Sequence, residues 1–206
     1  QRILGFRALG TCSGAPTKAC TNDPECGPGS TCVIQPDRAA DVAIGQPSLF
    51  EGTCNGNNTQ STAPTASTLC LQIYPMAISL LESPAPISLA VDSAGALYVP
   101  DLWNHRVLKY NDPLTTDTVA DRVWGQPDFS SRACNQGLAY PTASTLCFNS
   151  EQASIHMSGD GSGNGVDVSP DGKVWVTDQG NARVLRFPAS GSTADLVLGQ
   201  PNFVTG

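Results

Sequence analysis

Between residues 87 and 129, apolar and polar side chains alternate in short bursts. The runs "ISLAV" (87–91), "ALYVP" (96–100), "HRVLKY" (105–110) and "DRVWGQ" (121–126) are rich in Val, Leu, Tyr and Trp and are bounded by Asp, Ser, Gly, Asn and Pro. Period-two alternation of this kind predicts short half-buried strands joined by turns. The four runs therefore read as one four-stranded antiparallel unit.

The unit is written twice. "ISLAVDSAGALYVPDLWNHRVLKY" (87–110) overlays "NGVDVSPDGKVWVTDQGNARVLRF" (164–187), with Asp101 on Asp178, Asn104 on Asn181 and Arg106 on Arg183. "ADRVWGQPDF" (120–129) overlays "ADLVLGQPNF" (194–203), and "ADVAIGQPSLF" (40–50) is a third copy of that segment. The heptapeptide "PTASTLC" stands identically at 64–70 and 141–147, which marks duplication. Four-stranded units repeated along a chain are the sequence form of β-propeller blades. Gly125 and Pro127 are expected to end the outermost strand, because proline cannot donate to a ladder. "RILGF" (2–6) matches the third-strand motif "RVLRF", so the chain is predicted to begin with half a blade and continue with two full ones. The expected organisation is 1–50, a half blade carrying a Cys-rich insertion at 11–33; 51–129, a loop and the first full blade; and 130–206, a loop and the second.

The stretch "AVDSAGALYVPDLWNHRVLKY" resembles the NHL repeat, with its Val-Asp turn, Tyr-Val-x-Asp strand end and Asn-x-Arg-Val; the second copy carries Trp175 and Thr177 within the same frame. The recurring "ADxVxGQPxF" is similar to the outer strand and linker of bacterial secreted NHL-type proteins. The resemblance covers roughly 30–110 and 119–206, and it implies an all-β propeller. Some relatives of that type are lyases or hydrolases with histidine-rich metal centres. Here the only histidines, His105 and His156, fall at non-equivalent positions. His105 is replaced by Ala182 in the second copy and is expected at a surface or groove. No nucleophile–base or paired-acid set repeats, so no catalytic residue is predicted.

Charge and cysteine content narrow the picture. The net charge is −7, and the eleven Lys and Arg residues are scattered. A phosphate-binding surface needs them clustered, so nucleic acid is not an expected partner. Eight cysteines fall in three even-numbered loop clusters, without CxxC pairs or nearby histidines. This favours disulfides over zinc, and with them an oxidising, extracellular setting. The duplication implies Cys54–Cys70 and Cys134–Cys147, each worth about 3 kcal/mol in the chain-entropy model. For Cys12, Cys20, Cys26 and Cys32 three connectivities stay open. No apolar run is long enough to span a membrane. No signal peptide is legible from Gln1, so an exported chain is expected here in mature or excised form.

Three polar sets remain. Asp101, Asn104, Arg106 and their copies Asp178, Asn181, Arg183 are expected to be structural, with Asp and Asn holding the turn after the second strand and Arg paired to an Asp. Because the set repeats in each unit, a single binding site is the weaker reading. Asp160, Ser162, Asn164 and Asp171 have the spacing of an oxygen-ligand calcium loop. Val166 to Val168 belong to a strand that would pull such a loop apart, so calcium is a minor reading and no cofactor is expected. Asn57 begins a glycosylation sequon. The expected function is a non-catalytic extracellular scaffold or binding segment, with protein partners that include further copies of itself. One alternative is a self-assembling filament or surface subunit whose half blade is completed by a neighbour's strands. Another is part of a propeller lyase or hydrolase whose catalytic residues lie elsewhere.

Overall fold

The structure, a computed structural model, describes residues 2–5, 10–20, 22–34, 40–56, 62–71, 87–114, 117–148 and 165–206. It is all-β: four antiparallel sheets joined by loops and single 3-10 turns, with no α-helix among the described residues. Strands β1 (Ile3–Gly5), β2 (Gly10–Cys12), β3 (Ala15–Cys20), β4 (Cys32–Ile34) and β5 (Val42–Ile44) come first. Strand β1 pairs with β5 as a two-stranded sheet, while β3-β2-β4 form a separate three-stranded sheet inserted between them. The Cys-rich insertion is thus a small sheet of its own. Alternation does not mark it, because Gly, Thr, Lys and Cys occupy its strands.

The repeat forms two meanders. Strands β6 (Ala90–Val91), β7 (Leu97–Asp101), β8 (Arg106–Tyr110) and β9 (Arg122–Trp124) lie in sequence order in one sheet. Strands β10 (Val166–Val168), β11 (Val174–Asp178), β12 (Arg183–Phe187) and β13 (Leu196–Leu198) do so in the other. The registers correspond: Asp101 faces Arg106 and Asp178 faces Arg183, while Val107 faces Trp124 and Val184 faces Leu198. The two-stranded sheet matches their outer halves, since Ile3 faces Ile44 in the same frame. The described residues do not close a ring.

Period-two alternation positions the sheets against each other. In the middle sheet Leu97, Val99, Leu108 and Tyr110 turn to one side and pack with Val42, Ile44 and Leu69. Tyr98, Val107 and Trp124 turn to the other side and pack with Val174, Val176, Leu185 and Phe187. The middle sheet is therefore covered on both faces, which explains why all five residues of β7 are buried. Each fully buried Leu, Val or Phe in these layers contributes on the order of 1.5–3 kcal/mol. Across the second layer the Trp124 indole donates to the Gly191 carbonyl at 3.1 Å, and the Arg122 guanidinium stacks 4.4 Å from the Trp124 ring.

Four disulfides consume all eight cysteines: Cys12–Cys26, Cys20–Cys32, Cys54–Cys70 and Cys134–Cys147. The last two sit in the loops that lead into the two four-stranded sheets. In the small sheet, Asp23 Oδ1 accepts the Cys32 amide at 2.7 Å and Asn22 Oδ1 accepts the Glu25 amide at 3.3 Å, so polar bonds and two disulfides do the work of a core. Disulfides form and persist in oxidising compartments, and four of them point this fold to such a setting.

Candidate functional site

The repeated polar set is the obvious place to look for chemistry, and it lies at the junction between each sheet and the loop that precedes it. Asp101 stands at the end of β7, where a single 3-10 turn (Leu102–Asn104) follows the strand. Its Oδ1 accepts the Cys70 amide at 2.7 Å, and its Oδ2 accepts Asn104 Nδ2 and Arg106 Nε, both at 2.8 Å. Arg106 donates further from Nη2 to the Thr65 and Thr68 carbonyls at 3.0 and 2.9 Å, and from Nη1 to the Phe129 carbonyl at 2.5 Å. One guanidinium thereby ties its own sheet to the incoming loop and to the outgoing one.

The second copy repeats every bond. Asp178 accepts Cys147 N–H at 2.7 Å, Asn181 Nδ2 at 2.8 Å and Arg183 Nε at 2.7 Å. Arg183 reaches the Thr142, Thr145 and Phe203 carbonyls. All six side chains are buried, at 4% exposure or less. Burial of charge is tolerated because each ion pair is completed by further hydrogen bonds. The arrangement differs from the expectation in one respect. The aspartates do not cap the turns that follow them. They reach back to an amide 31 positions earlier in the chain.

Two sets of residues complete this joint and escaped the sequence reading. Asn55 and Asn135 follow the first cysteine of each loop disulfide, in left-handed conformation with φ of 53° and 51°. Each exchanges a reciprocal pair of amide bonds with the motif asparagine: Asn55 with Asn104 at 2.8 and 3.1 Å, Asn135 with Asn181 at 2.9 and 3.0 Å. The repeated "Cys-Asn" was a visible signal for them. The second set is the glutamine of the GQP segments. Gln126 Nε2 donates to the His105 and Ala133 carbonyls at 3.1 and 2.9 Å, and Gln200 Nε2 to Asn181 and Ala182 at 3.3 Å. Gln46 Nε2 donates to the Thr53 carbonyl. The preceding glycines hold φ of 87°, 87° and 89°, a conformation L side chains rarely adopt. A Cβ on Gly125 would stand 2.6 Å from Leu146 Cδ1 and 2.8 Å from the His105 carbonyl.

His105 is not at the surface. It is 5% exposed, in left-handed conformation at φ 48°, and its Nδ1 accepts the Phe148 amide at 3.1 Å. Burial pushes its pKa down to about 4. It is a neutral acceptor inside the junction, and Ala182 takes the same backbone conformation in the second copy. Asp171 lies in the turn between β10 and β11, where it accepts the Ser169 hydroxyl and pairs with Lys173. Those contacts hold its carboxyl down to about 2. Its proposed companions Asp160, Ser162 and Asn164 lie outside the described residues, as do His156 and Asn57. Cys12, Cys20 and Cys26 bring three sulfurs together, but all three are bound in disulfides.

An open groove of about 440 Å³ lies beside β9, lined by Arg122, Gln126, Phe129, Gln136, Ser144 and Ser192 among others. Two of its polar side chains are bonded to backbone: Arg122 donates to the Ala189 carbonyl at 2.6 Å, and Gln136 to the Gly125 and Ser144 carbonyls. Among the described residues no helix is long and apolar enough to cross a membrane. No protein-family model matches the chain, and no curated protein matches its sequence.

Proposed function

We propose that this chain is a secreted β-propeller segment of the NHL type that serves as a scaffold and does not catalyse. The observation that carries this reading is the double use of one buried joint. Asp101, Asn104 and Arg106, like Asp178, Asn181 and Arg183, spend their hydrogen-bonding groups on holding each sheet to its neighbouring loops. Residues so committed are structural, and a fold built by repeating them extends by adding sheets. The two loop disulfides staple the same junctions, which suits an exported protein with sparse charge and many turns. The acidic balance favours solubility and works against nucleic acid as a partner.

Electron microscopy of the native, non-reduced protein at blade resolution tests the reading. Discrete discs with the four-stranded sheets arranged radially are expected. Continuous fibres with strands passing between copies would replace the scaffold reading with that of a self-assembling subunit. An arrangement of these sheets with no common axis would end the propeller proposal.

A further inference from the structure

In both four-stranded sheets the third strand begins with an arginine whose Nε is held by an aspartate of the second strand. The two-stranded sheet has the arginine without the aspartate. The registers make Arg2, Ile3 and Leu4 the equivalents of Arg106, Val107 and Leu108 and of Arg183, Val184 and Leu185. The surrounding bonds agree. Arg2 Nη1 donates to the Glu51 carbonyl at 2.5 Å, as Arg106 does to Phe129 and Arg183 to Phe203. The Asp41 amide donates to Gly5 at 2.9 Å, as Asp121 does to Lys109 and Asp195 to Arg186. Yet Arg2 Nε is buried with no hydrogen-bond partner, and the edge of β1 away from β5 is unpaired among the described residues. Leu4 is 41% exposed, where Leu108 and Leu185 are 0% exposed. A buried charged donor without an acceptor is costly, and an open strand edge is a template for another strand.

We infer that the β1 edge is a docking site for a β-hairpin of this same repeat type, one whose second strand ends in an aspartate that accepts Arg2 Nε. The occupant's chemistry follows from the two complete sheets: an apolar residue covering Leu4, a strand of the Leu97–Asp101 kind antiparallel to β1, and the carboxylate opposite Arg2. A second copy of this chain is not the assigned donor. Asp-x-x-Asn-x-Arg occurs twice in the sequence, at 101–106 and 178–183, and both aspartates already hold their own arginines. The inference rests on strand register and does not require that the sheets form a ring.

The test uses a labelled synthetic peptide with the sequence of residues 88–104, added to the intact, non-reduced chain and followed by fluorescence anisotropy. The same titration is read by NMR at the Arg2 side-chain Nε–H. Saturable binding that shifts the Arg2 resonance is expected. Both an Asp101→Asn peptide and an Arg2→Gln chain should bind at least about tenfold more weakly, the value of a charge-assisted hydrogen bond. The peptide variant leaves the chain's own fold untouched. Absence of binding, or binding indifferent to both substitutions, overturns the inference. Self-association of the chain alone that Arg2→Gln abolishes, seen by sedimentation, would overturn the assigned occupant in favour of a second copy. A peptide that fails to bind leaves the image-based test of the scaffold reading standing, whereas self-association lost in Arg2→Gln would agree with the fibre outcome of that test.

Discussion

Asp101→Ala is the sharpest test of the joint. The carboxylate is fully buried and accepts three hydrogen bonds, from the Cys70 amide, Asn104 and Arg106. Its removal leaves a guanidinium with no exposure facing only carbonyl oxygens, together with an orphaned amide at Cys70. Breaking a buried pair from one side costs about 3–5 kcal/mol, and the stranded amide moves the expected loss toward the upper end of that range. Against a total stability on the order of 5–15 kcal/mol, this variant stands close to unfolding. Urea denaturation of the non-reduced protein, followed by the fluorescence of its three tryptophans, measures the loss. The double variant Asp101→Leu/Arg106→Met removes both charges and should be less destabilised than the sum of its single changes by at least about 2 kcal/mol. A single-variant cost under about 1 kcal/mol, or strict additivity in the cycle, would refute the argument. Asp101 would then be free for another role.

Four further outcomes follow from the same geometry. His105 is held neutral with a pKa of about 4 against an ordinary 6.5, so the unfolded chain takes up its proton first as pH falls. Stability should be whole above pH 6.5 and decline by about 3 kcal/mol between 6.5 and 4. Acid denaturation curves that keep the same slope in His105→Asn would contradict this. Gly125→Ala should cost at least about 2 kcal/mol by thermal melting, since positive φ and the Leu146 contact both oppose a Cβ. Asn135→Ala should cost about 2–3 kcal/mol through the lost amide pair and the left-handed backbone, and Asn135→Gly should recover the backbone share of that loss. Replacing Cys134 and Cys147 by serine should cost about 3 kcal/mol, and non-reducing peptide mapping of the parent chain should yield Cys12–Cys26 and Cys20–Cys32 beside the two loop disulfides.

The strands of the repeat were legible because alternation is a local signal, and the structural weight of Asp101 and Arg106 was legible because the pair is written twice. What those side chains touch was not legible. The aspartate's partner is an amide far back along the chain, and nothing near Asp101 announces it. Gln126 stood only at the end of the fourth strand run and was given no role, because a glutamine's burial depends on which carbonyls the fold brings to it. His105 was misplaced for a related reason: its neighbours in sequence are polar, whereas its neighbours in space, Phe148 and the Gln126 amide, come from the next loop. In the insertion, cysteine spacing alone could not choose among the three connectivities, nor would strand register have done so: Cys12 faces Cys32 across the sheet, yet Cys12 bonds Cys26 and Cys32 bonds Cys20.

Because Arg106 binds the carbonyls of Thr65 and Thr68 before its sheet and of Phe129 after it, the transferable cassette is out of phase with the sheet. A splice at the edges of β6 and β9 would carry four strands and leave the arginine's acceptors behind. A splice from Glu51 to Phe129 would carry the disulfide loop, the clasping Asn55 and the closing carbonyl together. A longer or shorter array made from this chain should therefore be cut just after the GQP segments, where each cassette takes its own fastenings with it.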